Sequence, residues 1–351
     1  MLHGTDPAFI PPFPGSVAKF LSKKSPFAQH GTVTGFLALR GGQPVGRIAS
    51  IVNHSHNAHY GDKVGFFGFF ACEDNPATAS TLLAASEAHL RALGLTSIRG
   101  PYNPSINDDC GLLTSGFDEL PSVSMPWNPA YYEALLTHAE FQPVRKLVAF
   151  HLPLRVPVEG RIARIAKRVS ERGRFRMRDI RMDALEADLK IIHKLYNATL
   201  DRNWGFVPIS YEDLLAAAGD LRAIAKPDMI MIIEHDGEPC GFGLNLPNFN
   251  EILIRTRRFP HWLRLPVIAW LIKTRPITTC RQTILGVLPG FRDRGLSAWL
   301  YAESFVRASR HFASSELGWV EENNADIFTA SILLGASVSK TFAIYEKPIP
   351  A

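Results

Sequence analysis

The sequence is poor in cysteine, and its few cysteines stand apart. The 351 residues contain Cys72, Cys110, Cys240 and Cys280, without a Cys-x-x-Cys pair or a Cys/His ligand spacing. This distribution argues against a disulfide framework and against a structural zinc site. We therefore expect a reducing, cytoplasmic setting and no bound metal.

Long apolar runs are also missing. A helix needs about 20 apolar residues to cross a bilayer, and the nearest candidate, residues 265–272, is short and contains Pro266. The segment 6–12 interrupts any helix near the amino terminus, so no signal peptide is expected there. Basic residues flank the apolar segment 259–273, which predicts an interfacial helix with peripheral membrane contact, or else an ordinary core helix.

Charge is scarce overall but is concentrated in one place. Charged residues make up 20% of the chain, and 46% apolar residues suffice for two ordinary cores. Between residues 155 and 181, eight Lys and Arg side chains face only three acidic ones. Such a stripe attracts phosphates of a nucleotide, an anionic lipid surface or a nucleic acid, or is simply a solvated helix face. Nucleic acid is the weaker choice, because Phe175 is the only aromatic residue among the arginines.

The pattern of apolar runs predicts an α/β fold with mixed sheets, built from two similar halves. In the first half, strands at 33–39 and 45–52 flank the hairpin turn Gly41-Gly42. A strand at 64–70 precedes a helix at 76–93 whose expected N-cap is Asn75. A polar loop at 100–127, a helix at 129–139 and a strand at 147–152 complete this half.

The second half repeats this order of elements. A basic helix at 159–171 serves as a connector. The later elements are strands at 175–182, 229–234, 240–246, 282–288, 317–320 and 337–345, and helices at 183–202, 211–218, 294–308 and 325–334. A duplicated α/β unit accounts for the repetition.

One strand-to-helix turn has the composition of a phosphate site. It reads Pro289-Gly290-Phe291-Arg292-Asp293-Arg294-Gly295-Leu296-Ser297 and opens a long helix. The first turn of a helix leaves backbone N–H groups unpaired, with the positive end of the helix dipole behind them. Gly295 lets a pyrophosphate approach the backbone closely, and the two arginines add charge-assisted contacts. An ordinary turn that needs a glycine is the alternative.

This turn resembles the acyl-CoA loop of the GNAT superfamily, [Gln/Arg]-x-x-Gly-x-[Gly/Ala], with Ser297 as a departure at the last position. The resemblance covers residues 175–347. It implies that acyl-CoA is a co-substrate whose pantetheine arm lies between two splayed parallel strands, here expected at 240–246 or its extension through 254, beside 317–320. The residues assigned to CoA binding are Leu288, Arg292, Asp293, Arg294, Gly295, Leu296, Ser297 and Asn324.

Longer segments resemble a group of tandem-GNAT proteins that is similar to the bacterial ceramide synthases. They include residues 6–12, 65–70, 100–111, 203–208 and 344–347. That resemblance implies long-chain acyl transfer from acyl-CoA to the amine of a sphingoid base. The first half lacks the CoA loop and carries Glu73 and Asp74 at the corresponding turn. We therefore expect a degenerate domain at 1–152, a connector at 153–174 and a CoA-binding domain at 175–351.

The residues assigned to proton transfer are Glu322, Glu251 and Tyr345. Glu322 follows the strand at 317–320, where we expect it to be buried in the cleft as a base, although a helix amino-terminal acid is the alternative. Glu251 is the second candidate base. Many GNAT enzymes use a Tyr as the acid at the position of Ser331, so water, Tyr345 or Tyr301 would have to replace it here.

Polar residues in two further segments are candidates for binding the acceptor amine. The loop after residue 100 concentrates amide, hydroxyl and carboxylate groups, although such residues also form turns. The second segment follows the strand at 240–246. The assigned residues are Asn103, Ser105, Asn107, Asp108, Asn245 and Asn248.

These assignments predict an acyl-CoA-dependent N-acyltransferase in which an amine attacks the thioester directly. A lipid amide, as made by a ceramide synthase, is the first expectation for its product. The alternatives are an acetyl-CoA-dependent N-acetyltransferase of a small amine or protein lysine, and a non-catalytic tandem-GNAT binding module.

Overall fold

Strands and helices are interspersed along the described part of the chain. The computed structural model describes residues 3–4, 6–22, 24–155, 158–221 and 226–350. Within these residues the chain forms eleven α-helices, four short 3-10 helices and fourteen β-strands. The predicted mixed α/β fold is confirmed.

The elements are numbered in chain order. The helices are α1 Ser16–Leu21, α2 His54–Tyr60, α3 Pro76–Ala92, α4 Tyr132–His138, α5 Gly160–Glu171, α6 Leu185–Thr199, α7 Tyr211–Leu221, α8 Asn250–Leu253, α9 His261–Thr274, α10 Leu296–Ser309 and α11 Ala325–Leu333. The strands are β1 Gly31–Arg40, β2 Gln43–Asn53, β3 Val64–Cys72, β4 Ser97–Gly100, β5 Tyr102–Asn103, β6 Asp109–Cys110, β7 Leu112–Ser115, β8 Gln142–Pro153, β9 Phe175–Asp179, β10 Ile230–His235, β11 Glu238–Pro247, β12 Thr279–Val287, β13 Ser314–Glu321 and β14 Ser337–Pro348.

The chain divides into two compact units, and neither is continuous in sequence. Unit 1 consists of Met1–Leu147, Ile252–Thr274 and Lys340–Ala351, and unit 2 of Val148–Glu251 and Arg275–Ser339. The division differs from the predicted domain bounds because α9 and most of β14 belong to unit 1. The predicted connector includes residues 156 and 157, which lie outside the described residues, and its helix α5 belongs to unit 2.

Unit 1 contains the strand order β1-β2-β3-β4-β14, and β7 also pairs with β14. Neighbouring strands are antiparallel except β3 and β4, which are parallel and connected through α3. Gly41 and Gly42 form the predicted hairpin turn with φ of 56° and 80°, the left-handed conformation that two-residue hairpins require. The loop predicted at 100–127 is only partly a loop, because it contains β5, β6 and β7.

Helix α3 covers the sheet of unit 1 with an apolar face. Asn75 caps the helix, since its side-chain oxygen accepts hydrogen bonds from the N–H groups of Ala77 and Thr78 at 3.0 and 3.2 Å. Leu82 and Leu90 are buried on the face that packs into the core. The predicted N-cap is confirmed. Of the apolar residues predicted to form the core face, Leu82, Leu83 and Leu90 are buried, whereas Ala88 and Leu93 are exposed.

Unit 2 repeats this plan with a longer antiparallel part. Its strand order includes β13-β12-β11-β10-β9. The strands from β9 to β12 are antiparallel to their neighbours, whereas β12 and β13 are parallel and connected through α10. Both units thus contain antiparallel strands followed by one strand–helix–strand crossover, as the duplicated pattern predicts.

A buried ion-pair network connects β9, β10 and α6 in unit 2. The fully buried carboxylate of Asp188 lies 2.7 and 3.0 Å from the two terminal nitrogens of Arg178, and 2.7 Å from Nη2 of Arg181. Nε of Arg178 also donates to Glu234 at 2.6 Å. Burial alone would raise the pKa of Asp188, but the hydrogen bonds from the two arginines outweigh burial and lower its pKa to about 2.

Asp188→Asn is expected to lower the free energy of unfolding by about 3–5 kcal/mol at neutral pH, because it leaves two arginines without their buried partner. In the wild type, the lowered pKa means that the carboxylate stabilises the fold above its unfolded pKa of about 3.9. That contribution is lost as the pH falls toward about 2. Urea unfolding at a series of pH values should therefore show a flatter acid dependence for the variant. Glu186→Gln, at an exposed acid on the same helix, serves as the control.

Candidate functional site

The parallel strands β12 and β13 separate part-way along their length. Their pairing begins at Thr279↔Ser314 and ends at Gln282↔Leu317, although β12 continues to Val287 and β13 to Glu321. On its other edge β12 stays paired with β11 up to Gly241↔Val287. The two strands therefore form an open fork. Along residues 283–287 of β12, the backbone groups that face this fork are not paired with β13.

The identity of the separated strands corrects one sequence-based prediction. Residues 240–246 were expected beside β13, but they belong to β11, which pairs antiparallel with β12. The proposed extension through residue 254 is not a strand, because it forms α8 and the 3-10 helix Ile254–Thr256. The apolar pattern predicted each strand but not which strand lies beside it in the sheet, because strand order depends on the path of the crossover helix.

Arg281 is a site residue that the sequence-based prediction missed. It lies on β12, is 5% exposed, and donates from Nε to the carbonyl oxygen of Gly318 at 2.9 Å. Gly318 is the first residue of β13 beyond the last pair. A buried guanidinium thus contacts β13 where the strands part. The sequence offered no clear signal, because Arg281 precedes the predicted strand at 282–288 and lies among the polar residues Thr279, Gln282 and Thr283.

The phosphate loop lies at the same end of β12 as the open fork. Beyond Val287 the chain passes through the 3-10 helix Pro289–Phe291 into the start of α10. Gly295 is the N-cap residue, has a φ of 82°, and has no side chain to cap the helix. The N–H groups of the first helical turn have no partner within the helix, so they and the helix dipole favour an anion here.

Helix α5 packs directly against this loop. A Cβ atom on Gly295 would lie 2.7 Å from Cγ2 of Ile165 and 3.0 Å from Cγ2 of Val169, so the contact requires a glycine. Arg168 and Arg172 are exposed and each follow one of these α5 residues by three positions, which places them on the adjoining helix face. The basic stripe therefore adds positive charge beside the loop.

The two arginines of the loop have different contacts. Arg292 donates to the carbonyl oxygen of Thr199 at 3.1 Å and to that of Val287 at 3.4 Å, so it connects the loop to the carboxyl end of α6. Arg294 is exposed and lies 5.1 Å from the ring centre of Phe291. Of the two, Arg294 has the guanidinium group more available to a ligand.

The remaining residues assigned to CoA binding surround the start of α10 or of α11. Leu288 is half-buried, and its N–H donates to the carbonyl oxygen of Cys240 at 2.9 Å. Asp293 and Ser297 are exposed, whereas Leu296 is buried in the core of unit 2. Asn324 is the N-cap of α11, because its side-chain oxygen accepts from the N–H of Ile327 at 3.2 Å.

The corresponding helix of unit 1 starts differently. Asn75 already accepts hydrogen bonds from the first N–H groups of α3. Glu73 accepts hydrogen bonds from Thr78 at 2.7 Å and Arg40 at 3.0 Å, and these bonds lower its pKa. The start of α3 thus has its own cap and a nearby negative charge, both of which disfavour an anion.

Glu322 is exposed rather than buried, which corrects the expected environment. It follows the last residue of β13, at the mouth of the fork. Its neighbour Glu321 is half-buried and accepts a hydrogen bond from the N–H of Trp204 at 3.0 Å. Glu321 therefore positions the loop that contains residues 203–208, one of the segments that carried the family resemblance.

The other two candidates for proton transfer have structural partners. Glu251 accepts hydrogen bonds from the N–H and hydroxyl groups of Thr278 and Thr279, at 2.5–3.2 Å. Tyr345 is buried in the core of unit 1 and donates to Glu133 at 2.7 Å. Burial, followed by the hydrogen bond with Glu133, raises the pKa of Tyr345. The structure therefore does not place Tyr345 in the unit that contains the fork.

Ser331 occupies the position of the family's tyrosine acid, and Tyr301 is one of the residues expected to replace that acid. Ser331 is buried, and its hydroxyl donates to the carbonyl oxygen of Ile327 at 2.9 Å. Burial raises the pKa of Tyr301 to about 12. Neither group matches a freely accessible acid.

Most residues assigned to acceptor binding take part in local hydrogen bonds. Asn245 is buried and donates to Met229 and Ser304 at 3.3 Å each. Asn248 is buried, and its side chain accepts from the N–H of Asn250 at 3.3 Å. Both lie in unit 2, at the end of β11 or just beyond it.

The loop after residue 100 forms a compact turn in unit 1. Asn103 accepts from the N–H of Phe69 at 2.6 Å. The hydroxyl of Ser105 donates to Asp108 at 2.7 Å and accepts from the N–H of Asn107 at 3.2 Å. These are the turn-forming contacts that the sequence offered as the alternative, and acceptor binding by this loop stays a prediction.

In the part of the chain that the structure describes, no group of three or more His, Cys, Asp or Glu residues could hold a metal ion. None of the helices formed by those residues has the length and apolar character needed to span a membrane.

Comparison with known proteins decides the family. No protein-family model matches the sequence. The solved tandem GNAT protein from the clavulanic acid biosynthesis pathway shares the fold, with a TM-score of 0.55 and 11% identity, over 99% of this chain and 91% of that one. The bacterial ceramide synthase of Caulobacter vibrioides is 31% identical over 366 residues, covering 99% of this chain and 92% of that protein. The chain belongs to this tandem GNAT acyltransferase family.

A second relative also matches over nearly the whole of both chains. Protein YghO of Escherichia coli is 29% identical over 361 residues, covering 99% of this chain and 90% of that protein. The predicted resemblance to tandem GNAT acyltransferases is therefore confirmed over essentially the whole chain, and so is the acyltransferase class.

Gly295→Ala is expected to lower the free energy of unfolding by about 1–2 kcal/mol from the left-handed backbone alone, with a further loss from contact with Ile165. Urea unfolding in an Ile165→Ala background should therefore show a smaller penalty for the same substitution. Gly94→Ala is the matched control, because Gly94 has a φ of 78° and nothing within 4 Å of its added Cβ. An identical penalty for Gly295→Ala in both backgrounds would contradict the packing of α5 on the loop.

Proposed function

We propose that the chain is an acyl-CoA-dependent N-acyltransferase that binds the CoA pyrophosphate at the start of α10. The observation that carries this proposal is the combination, at one end of β12, of an uncapped helix terminus and an open strand fork. Gly295 leaves the first N–H groups of α10 without a side-chain cap, and Arg294 adds a charge-assisted contact. The pantetheine arm would run along residues 283–287, whose backbone groups are not paired with β13.

The reaction follows from this placement. A neutral amine attacks the thioester carbonyl carbon, and the resulting tetrahedral intermediate expels the CoA thiolate while its nitrogen loses a proton. The products are an amide and CoA thiol, so the proton lost by nitrogen balances the one gained by sulfur. Holding the amine and the thioester together lowers the activation barrier, by up to about 7–11 kcal/mol in well-oriented systems.

Glu322 is the base that we propose for the amine proton. Its carboxylate is exposed at the mouth of the fork, whereas the carboxylate of Glu251 is held by two threonines and Tyr345 lies in the core of unit 1. Glu321 is proposed as a positioning residue because it holds the loop at Trp204.

We further propose that the acyl group is a long chain and that the acceptor is a sphingoid base. The identity to a protein named bacterial ceramide synthase, over nearly all of both chains, supports this choice. Because a lipid acceptor resides in a membrane, we also propose that the protein works at the cytoplasmic face of a membrane. All four cysteines are buried thiols rather than disulfides, as expected in a reducing compartment.

The test is an assay of purified protein with sphinganine and acyl-CoAs of increasing chain length, with mass spectrometry of the amide and a thiol assay for released CoA. We expect equal amounts of amide and CoA, with long chains preferred. Strong selectivity for acetyl-CoA would instead support an acetyltransferase of a small amine or protein lysine. Absence of both products with every acyl-CoA would contradict catalysis and leave the non-catalytic binding module.

Ser297→Glu tests the phosphate site separately from catalysis. Ser297 is exposed in the first turn of α10, where an acid favours helix formation, so folding should be preserved. A carboxylate there would repel the pyrophosphate, and calorimetry should show CoA affinity lowered at least tenfold, which equals about 1.4 kcal/mol. Ala77→Glu places the same acid at the same position of α3 and should leave CoA affinity unchanged. Unaltered binding in Ser297→Glu would contradict the site.

Glu322→Gln should lower kcat by about 10²–10⁴-fold, because a positioned base contributes about that much. Asp326→Asn, at an exposed acid four residues further on, is the control and should leave kcat unchanged. Glu321→Gln should act mainly on KM, since this residue holds the loop rather than a proton. Equal effects of the Glu322 and Asp326 substitutions would rule out Glu322 as the base.

A further inference from the structure

Helix α9 of unit 1 buries an arginine and exposes large apolar side chains. Arg264, Ile268 and Leu271 form its buried face, and Arg264 is only 4% exposed. The opposite face is apolar: Trp262 is 75% exposed and Trp270 is 57% exposed. A surface helix normally turns its charged residues outward, so this helix presents to its surroundings the surface that a core would bury.

The orientation of α9 is fixed by buried hydrogen bonds. Arg264 donates from Nη2 to the carbonyl oxygens of Pro11 and Pro12 at 3.4 and 3.1 Å, and from Nε to the hydroxyl of Thr256 at 3.4 Å. Burial lowers the pKa of Arg264. Just before the helix, Arg257 donates to the carbonyl oxygen of Pro7 at 2.7 Å. Rotating the helix to bury its tryptophans would break these hydrogen bonds and expose Ile268 and Leu271.

The exposed apolar residues of this segment lie between basic residues in the sequence. The large exposed apolar residues of this segment are Phe259, Trp262, Leu265, Trp270 and Ile272. From residue 252 to residue 275 the sequence contains six basic residues and no Asp or Glu, namely Arg255, Arg257, Arg258, Arg264, Lys273 and Arg275. Exposed cations therefore precede the helix, at Arg255 and Arg258, and lie at its end, at Lys273.

We propose that this face of α9 docks the protein onto the surface of an anionic lipid bilayer. Tryptophan prefers the boundary between headgroups and acyl chains, because its ring is apolar and its N–H is polar. Apolar residues would enter that boundary while the basic residues contact lipid phosphates. The face is named here the docking face, comprising Phe259, Trp262, Leu265, Trp270 and Ile272 with the cations Arg255, Arg258 and Lys273.

The charge pattern favours a bilayer over a second copy of the chain. In a symmetric dimer the same surface patch contacts itself, so the cations of the docking face would meet one another, and the segment 252–275 contains no acid to compensate them. An anionic bilayer offers opposite charge over its whole area. The inference goes beyond the proposed acyl transfer, since it requires no acyl-CoA and no turnover.

Vesicle binding of the full chain tests the proposal. The protein should sediment with phosphatidylcholine vesicles that contain phosphatidylglycerol, much less with phosphatidylcholine alone, and less at high salt. Trp262→Ser combined with Trp270→Ser should lower the partition coefficient at least about tenfold, because binding scales with buried apolar area. Leu37→Ser combined with Leu39→Ser is the matched control, since these leucines are 68% and 62% exposed in the same unit, and should not change binding.

Each possible result decides the proposal. Wild-type protein that fails to sediment with phosphatidylglycerol vesicles, or a tryptophan variant that sediments equally well, would overturn it. Light scattering that shows a wild-type dimer and a monomeric tryptophan variant, without vesicle binding, would assign the docking face to a second copy. If thermal unfolding shows that the tryptophan variant is misfolded, Arg255→Glu combined with Arg258→Glu replaces it, and retained vesicle binding in that variant would equally overturn the proposal.

Discussion

The early end of pairing between β12 and β13 is the constraint on which the candidate site depends. Parallel strands are normally held together by hydrogen bonds along their shared length, and here the ladder stops at Gln282↔Leu317. Arg281 donates to the carbonyl oxygen of Gly318 at that point, so this acceptor keeps a hydrogen bond where the ladder ends. Because both strands run in the same direction, the fork opens toward their carboxyl ends, where β12 also delivers the chain to the start of α10. Fork and anion site therefore share one end of the sheet.

The two units show how one plan gives different chemistry. Each has a strand, a helix and a parallel strand, but the helices begin with different residues. Asn75 uses the first N–H groups of α3 as hydrogen-bond donors to its own side chain, and Glu73 places a negative charge beside them. Gly295 has no side chain to compete with a ligand, and α5 packs over it through Ile165. A single cap residue thus separates a helix start that is closed by its own sequence from one that is open to an anion.

Much of the fold could be read from the sequence because it depends on local patterns. The hairpin at Gly41-Gly42, the cap at Asn75 and the helix after Gly295 all follow from residues a few positions apart. Strand order could not be read in this way, so β11 was placed beside β13 in the position that β12 occupies. The environment of Glu322 and the role of Arg281 were missed for a related reason, since exposure and hydrogen-bond partners depend on where the strands part. The burial of Arg264 in α9 depends on carbonyl groups that are distant in sequence, at Pro11 and Pro12.

The non-contiguous make-up of unit 1 has a consequence for the nascent chain. β14 pairs with β4 at Tyr345↔Gly100 and with β7 at Phe342↔Leu113, yet nearly 200 residues of unit 2 and of α9 are translated between the first part of unit 1 and this strand. Until residues 340–348 leave the ribosome, the edges of β4 and β7 lack their partner, and open strand edges promote association with other chains. Unit 1 can therefore complete its sheet only after unit 2 has been synthesised. Chaperones that shield exposed strands would matter most during that interval.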